Sequence, residues 1–123
     1  MEQTEIRRIA EYYKAVADET RLSMLGLLEQ YPELCVCDIM HVLGITQSKA
    51  SRHLRYLRSA GFVADRRDGI WIYYRIAEDL SEDHKAIIEA LKSQLDDTLF
   101  TDAKIRLAER CGVEHCTTPT RKA

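Results

Sequence analysis

Residues 35–61 read CVCDIMHVLGITQSKASRHLRYLRSAG, and this stretch decides the fold. Apolar side chains recur there at helical spacing, which predicts a short amphipathic helix from about Cys35 to Leu43. Gly44 follows as a C-cap glycine, and Thr46 is a favourable N-cap for a second helix that runs to the end of the stretch. Two short helices joined by a tight turn predict a helix-turn-helix.

A β-hairpin is predicted directly after this stretch. Asp68-Gly69 is a strong signal for a two-residue turn, and it separates the β-prone runs Val63–Arg67 and Ile70–Ile76. Side chains in the second run alternate, so that one face of the strand is apolar. A helix-turn-helix followed by a hairpin describes a winged helix, and we therefore expect a mainly α fold with a small β-hairpin.

Further helices are predicted on both sides of the winged helix. They run from about Thr4 to Ala17, from the N-cap Asp18 to Tyr31, from Ser81 through a long apolar stripe at Ile87–Leu99, and from Thr101 to about Arg110. We accordingly divide the chain into a winged-helix DNA-binding and dimerisation domain, residues 1–100, and a C-terminal helix and tail, residues 101–123, that carries Cys111 and Cys116.

Composition places the chain among soluble proteins. It has 123 residues, of which 46% are hydrophobic and 31% charged, so it has room for one domain with its own core. No apolar run approaches the length of a membrane span, and Met1–Tyr13 contains no apolar leader region. We therefore expect a cytoplasmic protein without a membrane partner. In a reducing cytoplasm its four cysteines are expected to be free thiols, metal ligands or redox sensors.

Charge is distributed unevenly along the chain. The whole chain has a net charge of −2, but residues 46–75 carry seven basic and two acidic side chains, a local net charge of +5. The rest of the chain therefore carries −7. A basic block on an acidic body is typical of nucleic-acid binding, although a solvated basic surface without a partner gives the same count.

The second helix of the helix-turn-helix has the pattern of a DNA recognition helix. At 100° per residue, Ala50, Leu54 and Leu57 point inward, whereas Arg52 and Arg55 lie on the opposite side. Such a helix enters the major groove of double-stranded DNA, where arginine pairs with guanine. The expected DNA contacts are Gln47, Ser48, Lys49, Ser51, Arg52, His53, Arg55, Arg66 and Arg67.

Each of these positions also has a purely structural interpretation. The neighbouring Arg58 is compatible with an ion pair to an acidic residue nearby. His53 is compatible with a half-buried ring that is hydrogen-bonded inside the protein, beside Leu54 and Leu57.

The cysteine pair Cys35 and Cys37 lies at the start of the first of these two helices. Exposed N–H groups at a helix N-terminus stabilise thiolates, and two thiolates select soft or borderline ions. Residues i and i+2 of a helix point roughly 200° apart, so one ion holds both sulfurs only if the first turn unwinds. That distortion would reach the adjacent recognition helix. Two alternatives are small buried side chains and oxidisable thiols.

Cys111 and Cys116 lie near the C-terminus, with Glu114 and His115 between them. They are candidates for further metal ligands, from the same subunit or from a second one. Their spacing matches no tetrahedral zinc motif, so a tail with incidental cysteines is the alternative.

Four segments resemble the ArsR/SmtB family of metalloregulatory repressors. They are the metal-binding box ELCVCD at 33–38, the recognition-helix sequence QSKASRHL at 47–54, the wing sequence GIWIYYR at 69–75 and the segment AVADETRL at 15–22. The resemblance covers roughly residues 9–77, in the order that the family has. It implies a homodimeric winged-helix repressor, dimerised by its first and last long helices, that leaves operator DNA when a toxic metal or metalloid binds.

Departures from the family patterns bear on which ion is sensed. Met40 stands where some arsenic sensors have a third cysteine, and the N-terminal segment lacks the cysteines of the cadmium and lead sensors. The resemblance implies As(III) or Sb(III) first, Cd(II) or Pb(II) second, and Zn(II) or a thiol-oxidation signal third. Since As(III) prefers three thiolates, Cys111 or Cys116 is the candidate for the third.

An enzyme is the third class of function to weigh. The sequence has no Cys-x-x-Cys pair, no glycine-rich loop that would cradle a phosphate, and no nucleophile and base at a suitable spacing. We therefore expect a binding protein without catalytic residues and without an organic cofactor.

Overall fold

The computed structural model describes residues 3–110, which form helices and one antiparallel sheet. The elements follow one another as α1 (Gln3–Val16), α2 (Glu19–Gln30), β1 (Leu34–Cys35), α3 (Val36–Leu43), α4 (Gln47–Ser59), β2 (Val63–Asp68), β3 (Trp71–Ile76), α5 (Glu82–Gln94), a short 3-10 turn (Asp97–Phe100) and α6 (Thr101–Arg110). The mainly α winged helix-turn-helix expected from the sequence is confirmed. No described helix is long and apolar enough to cross a lipid bilayer.

The turn between α3 and α4 has the expected chemistry. Gly44 adopts a φ of 66°, which favours glycine, and its N–H donates to the carbonyl of Met40 at 2.8 Å. The Thr46 hydroxyl accepts a hydrogen bond from the N–H of Lys49 at 3.1 Å and caps α4. These two residues end one helix and begin the next within three positions, which fixes the angle of the helix-turn-helix.

The wing is a hairpin with an additional strand at its edge. β2 and β3 pair antiparallel from Val63↔Ile76 to Asp68↔Trp71, as the turn signal predicts. The two-residue strand β1 pairs with the other edge of β3, so the sheet order is β1-β3-β2. Cys35 therefore lies opposite Tyr73.

One apolar core joins the helix-turn-helix to the surrounding helices. Ala50, Leu54 and Leu57 of α4 are completely buried, as their helical spacing predicts. They belong to the same cluster as Ile39 of α3 and Phe62. Burying a side chain such as leucine contributes about 1.5–3 kcal/mol, so this face of α4 is firmly held. Its other face is thereby left to solvent.

The predicted long last helix is shorter than its apolar stripe. α5 ends at Gln94 because Leu95 leaves helical geometry, and Leu99 lies exposed in the 3-10 turn. Ile87 and Ile88 are buried within the single chain, so this part of the stripe is not free for a second copy. The apolar stripe at Ile87–Leu99 therefore does not lie on one continuous helix, as the sequence had predicted.

After the 3-10 turn the chain folds back onto the helix-turn-helix. The ring of Phe100 fits against Gly26 of α2, where no side chain intervenes. Leu107 of α6 is buried in the core, and the guanidinium of Arg106 donates to the carbonyl of Val42 at 2.7 Å. Consequently α6 packs against α3, the helix that begins beside the cysteine pair.

Candidate DNA interface and thiol site

The outward face of α4 presents polar and basic side chains to solvent. Gln47, Ser48, Lys49, Arg52 and Arg55 are all exposed. Ser51 lies between the two faces and is half-buried. This arrangement is the one that a major-groove helix requires, because the buried leucines anchor the helix while polar groups reach base edges and phosphates.

His53 lies inside the protein, unlike the other expected DNA contacts. It is 8% exposed, and its Nδ1 is 2.9 Å from Nη1 of Arg21 in α2. Since a guanidinium only donates, Nδ1 accepts and the ring is neutral. Burial lowers the pKa of His53, and the nearby Asp18 carboxylate opposes that shift only in part. The internally hydrogen-bonded alternative therefore describes His53, whose ring holds α4 against α2.

Arg21 ties three helices together. Its Nε donates to the carbonyl of Ala15 at the end of α1, at 2.6 Å, while its guanidinium lies 4.1 Å from the ring centre of Tyr56 in α4. Sequence reasoning missed this residue because its contact with His53 joins positions 32 apart.

Two arginines of the basic block are engaged in ion pairs. Arg58 contacts Asp65 at 2.7 Å, which confirms the structural interpretation of Arg58. Arg66 donates two hydrogen bonds to the carboxylate of Glu33 and covers the ring of Tyr73 at 4.4 Å. Arg67, by contrast, is exposed in β2 near the hairpin turn. Arg67 is thus an exposed cation on the wing.

Cys35 and Cys37 lie closer together than the helical geometry predicts. Cys35 is the last residue of β1 and the N-cap of α3, with an extended backbone. Its Sγ accepts from the N–H of Cys37 at 3.2 Å, and the two Sγ atoms are in direct contact, as in a disulfide. The expectation that the sulfurs point apart was wrong because only Cys37 belongs to the helix.

A carboxylate completes this group. Ligand atoms of Cys35, Cys37 and Asp38 all lie within 4.8 Å of one another. Among residues 3–110, these three are the potential metal ligands that lie this close together. Cys111 and Cys116 lie outside the described residues.

Asp83 and His84 of α5 make structural contacts and are not part of the cysteine group. The carboxylate of Asp83 pairs with Arg8 at 3.4 Å. His84 forms a capping box with Ser81, and its Nε2 lies 2.7 Å from the carbonyl of Ala60 at the end of α4. His84 is therefore a capping residue of α5.

The cysteine pair touches both elements that would meet DNA. Through β1 it joins the central strand of the wing, where Cys35 lies opposite Tyr73. A cleft of about 150 Å³ runs from the two sulfurs to Gln47 and Ser51 of α4 and to Trp71 of the wing. We call this space the thiol cleft.

Comparison with known proteins identifies the family. Residues 18–65 match the model of the bacterial regulatory proteins of the arsR family. The chain is 41% identical over 97 residues to the arsenic resistance transcriptional regulator ArsR1 of Pseudomonas putida, a match that covers 79% of this chain and 75% of that protein. The chain belongs to the ArsR family. The resemblance inferred from the four sequence segments is thereby confirmed, and the family is one of regulatory proteins rather than enzymes.

Two further similar proteins extend the comparison, the second of which is described as a possible ArsR-family transcriptional regulator. The arsenical resistance operon repressor of Escherichia coli is 48% identical over 65 residues, which cover 53% of this chain and 56% of that protein. The winged helix-turn-helix DNA-binding domain Mb0332 of Mycobacterium bovis, whose solution structure is homodimeric, is 34% identical. That match has a TM-score of 0.63 and covers 79% of this chain and 86% of that one.

Proposed function

We propose that this ArsR-family protein is a metalloid-responsive transcriptional repressor. It binds operator DNA as a homodimer, and it is released when As(III) or Sb(III) binds the thiolates of Cys35 and Cys37. One observation carries the proposal. Cys35 is at once a strand residue paired with the wing and the cap of α3, which packs against the recognition helix α4.

DNA binding is assigned to the outward face of α4 and to the wing. Arg52 and Arg55 are exposed there opposite a buried leucine face, so they reach base edges and phosphates when α4 lies in the major groove. Gln47, Ser48 and Lys49 occupy the first turn, which enters deepest. Arg67 is assigned to backbone phosphates beside the groove, and Arg66 joins it once it leaves Glu33.

The donor set fits a soft, thiophilic ligand. The ligand atoms of Cys35, Cys37 and Asp38 lie within 4.8 Å of one another, and two thiolates select soft or borderline ions. As(III) takes a third thiolate, for which Cys111 or Cys116 is the candidate. The same cysteine set accommodates Cd(II), Pb(II) or Zn(II), which are alternative inducers. The names of the relatives in Pseudomonas putida and Escherichia coli support arsenic.

Induction follows from what Cys35 already does. A ligand between the two sulfurs separates them and engages the Sγ that caps Cys37. The first turn of α3 and the pairing of β1 with β3 then adjust together, and α4 and the wing move relative to each other. An operator bound by both elements is held less tightly after that change.

The homodimer is assigned to α1, because Ile87 and Ile88 of α5 are buried within the single chain. Ile6 and Tyr13 lie seven positions apart on one face of α1 and are 52% and 57% exposed. Apolar side chains at that spacing form a stripe suited to a symmetric helix contact. The homodimeric structure of the Mycobacterium bovis relative supports this arrangement.

Operator release tests the proposal. The DNA that precedes the coding sequence is labelled, and its binding to the reduced chain is followed by fluorescence anisotropy with As(III), Sb(III), Cd(II), Pb(II) and Zn(II). Arsenite is expected to weaken binding in the parent chain. It is not expected to do so in Cys35→Ser, which lacks one of the two thiolates but whose serine hydroxyl still caps α3. Cys111→Ser and Cys116→Ser are matched controls that identify the third ligand. Full release of Cys35→Ser by arsenite would contradict the site assignment.

Base reading by α4 is tested separately. Arg52→Ala is expected to weaken operator binding by about 1–3 kcal/mol and to relax preference at one base pair. Lys104→Ala, which changes a half-buried lysine of α6, is the control and is expected to bind as the parent chain does. If Arg52→Ala binds every operator variant as tightly as the parent chain, α4 is not the recognition helix.

A thiol-redox repressor is the second candidate, and the contact between the two sulfurs favours it. In that case peroxide takes two electrons and two protons from the dithiol, giving a disulfide and water. Free thiols are counted after peroxide treatment while operator binding is measured in parallel. Release that follows thiol loss, with no effect of metals, would favour the redox repressor over the metalloid sensor.

A further inference from the structure

We propose that the preferred inducer is a trivalent arsenical carrying one apolar organic substituent, with arsenic held by Cys35 and Cys37 and the substituent in the thiol cleft. The inference rests on the proposed function and specifies its ligand class.

The wall of the thiol cleft is mostly apolar. Beyond the two sulfurs it is lined by Val36 and Met40 of α3 and by Ile70, Trp71 and Ile72 of the wing. Ile70 is 83% exposed and Trp71 is 39% exposed, so large apolar side chains at the hairpin tip stand in water beside the cysteines. Such exposed groups indicate a ligand that would cover them.

The size of the cleft matches a small organic group. Its volume is about 150 Å³. An apolar cavity of about 150 Å³ in another protein takes up benzene, so a methyl or phenyl group fits this space. A bare arsenite ion would fill only its sulfur end and would leave the wing side chains uncovered.

The number of thiols also matches. An organoarsenous acid, R–As(OH)₂, reacts with the two thiols to give R–As(S-Cys35)(S-Cys37) and two molecules of water. Two As–O bonds break, two As–S bonds form, the thiol protons leave with the hydroxyls, and arsenic stays trivalent. The pair that the structure brings together therefore completes the coordination of such a ligand, whereas inorganic arsenite prefers a third sulfur from elsewhere.

Position in the cleft explains why the substituent would matter for release. Gln47 and Ser51 of α4 border the cleft opposite the apolar wing residues. A substituent held there contacts the recognition helix and the hairpin tip simultaneously. It therefore moves the recognition helix and the hairpin tip apart directly, in addition to changing the first turn of α3.

The intrinsic fluorescence of the chain measures binding. Trp71 is its one tryptophan, and it lines the thiol cleft. The full chain, reduced with a phosphine that is then removed, is titrated with phenylarsine oxide, methylarsenite and arsenite. Operator release is followed in the same samples. The two organic ligands are expected to quench Trp71 and to release DNA at concentrations at least tenfold below that of arsenite.

Because phenylarsine oxide binds any close pair of thiols, the decisive comparison is between variants. Ile70→Ser removes apolar wall at an exposed position and is expected to reduce the preference for phenylarsine oxide over arsenite about tenfold. Ile105→Ser, also at an exposed position but on α6, is the matched control and is expected to retain the preference. Cys111→Ser combined with Cys116→Ser is expected to bind phenylarsine oxide as the parent chain does.

The outcomes separate the two proposals. If arsenite releases the operator at the same or lower concentration than the organic ligands, the inference is wrong while the repressor function stands. An unchanged preference in Ile70→Ser likewise overturns the role of the cleft. If no arsenical quenches Trp71 or releases DNA, the metalloid sensor itself is wrong.

Discussion

Arg66 of the wing forms an ion pair with two hydrogen bonds to Glu33, the residue that precedes β1. Its Nε donates to Oε2 at 3.0 Å and its Nη2 to Oε1 at 2.6 Å. The pair crosses the sheet from β2 to the start of β1 and passes over Tyr73. The pair therefore holds the Arg66 guanidinium beside the strand that carries Cys35.

Releasing Arg66 is expected to strengthen DNA binding. In Glu33→Gln the guanidinium of Arg66 loses its two charged hydrogen bonds and keeps the weaker 3.9 Å contact with the exposed Asp68, so it becomes available to a phosphate. Operator affinity should rise, and the slope of log affinity against log salt should steepen by about one per protomer. The measurement is a salt titration of operator binding, with Arg67→Ala, which should lower the slope by about one, as the reference. An unchanged slope in Glu33→Gln would mean that Arg66 does not contact DNA.

The same pair makes stability depend on pH. The two hydrogen bonds from Arg66 lower the pKa of Glu33 below the 4.5 of an unperturbed glutamate. Its contribution to stability is therefore complete above pH 4.5 and is lost as the pH falls through the lowered pKa of the folded state. Urea unfolding from about pH 6 to about pH 3 should show a smaller loss of stability in Glu33→Gln than in the parent chain. Parallel curves would contradict this role.

His53 should affect stability rather than DNA contact. His53→Ala removes the acceptor of the Arg21 guanidinium, and the loss should cost about 1–3 kcal/mol in the free energy of unfolding. The salt slope of operator binding should stay unchanged, since no phosphate contact is lost. His53→Gln, which supplies an oxygen acceptor, is expected to recover part of the stability. A lower salt slope in His53→Ala would return His53 to the DNA contacts.

Gly26 is required by the ring of Phe100. A Cβ at position 26 would overlap the end of that ring, so Gly26→Ala should destabilise the fold by about 1–3 kcal/mol. In a Phe100→Ala background the same change should cost much less, because the obstructing ring is gone. Denaturant unfolding of the two single variants and the double variant measures the coupling. Additive free energies would show that Phe100 does not dock against Gly26.

Local chemistry predicted most of the fold and the outward face of the recognition helix. Gly44 and Thr46 predict the turn of the helix-turn-helix, and Asp68-Gly69 predicts the turn of the wing. Each of these signals acts on backbone geometry within a few residues. The apolar stripe around α5 was misleading, since periodicity does not reveal that the helix ends at Gln94.

The thiol site was harder to predict because it depends on distant partners. Cys35 has an extended backbone since it pairs with Tyr73, and that contact joins positions far apart in the chain. Without β1, a helix appeared to include both cysteines, and their sulfurs were expected to diverge. Glu33 and Arg66 are likewise 33 positions apart in the sequence, so no local pattern predicts their contact.

The placement of Cys35 also bears on how such a regulator changes over evolutionary time. Position 35 must extend a strand and cap a helix, whatever else it does. Serine meets both requirements, and one base change converts a cysteine codon into a serine codon. Under the proposed function, Cys35→Ser gives a repressor that the inducer does not release, whereas most other replacements would disturb both the β1 pairing and the start of α3. Under the proposed function, this single substitution would therefore remove the response to the inducer and preserve the fold.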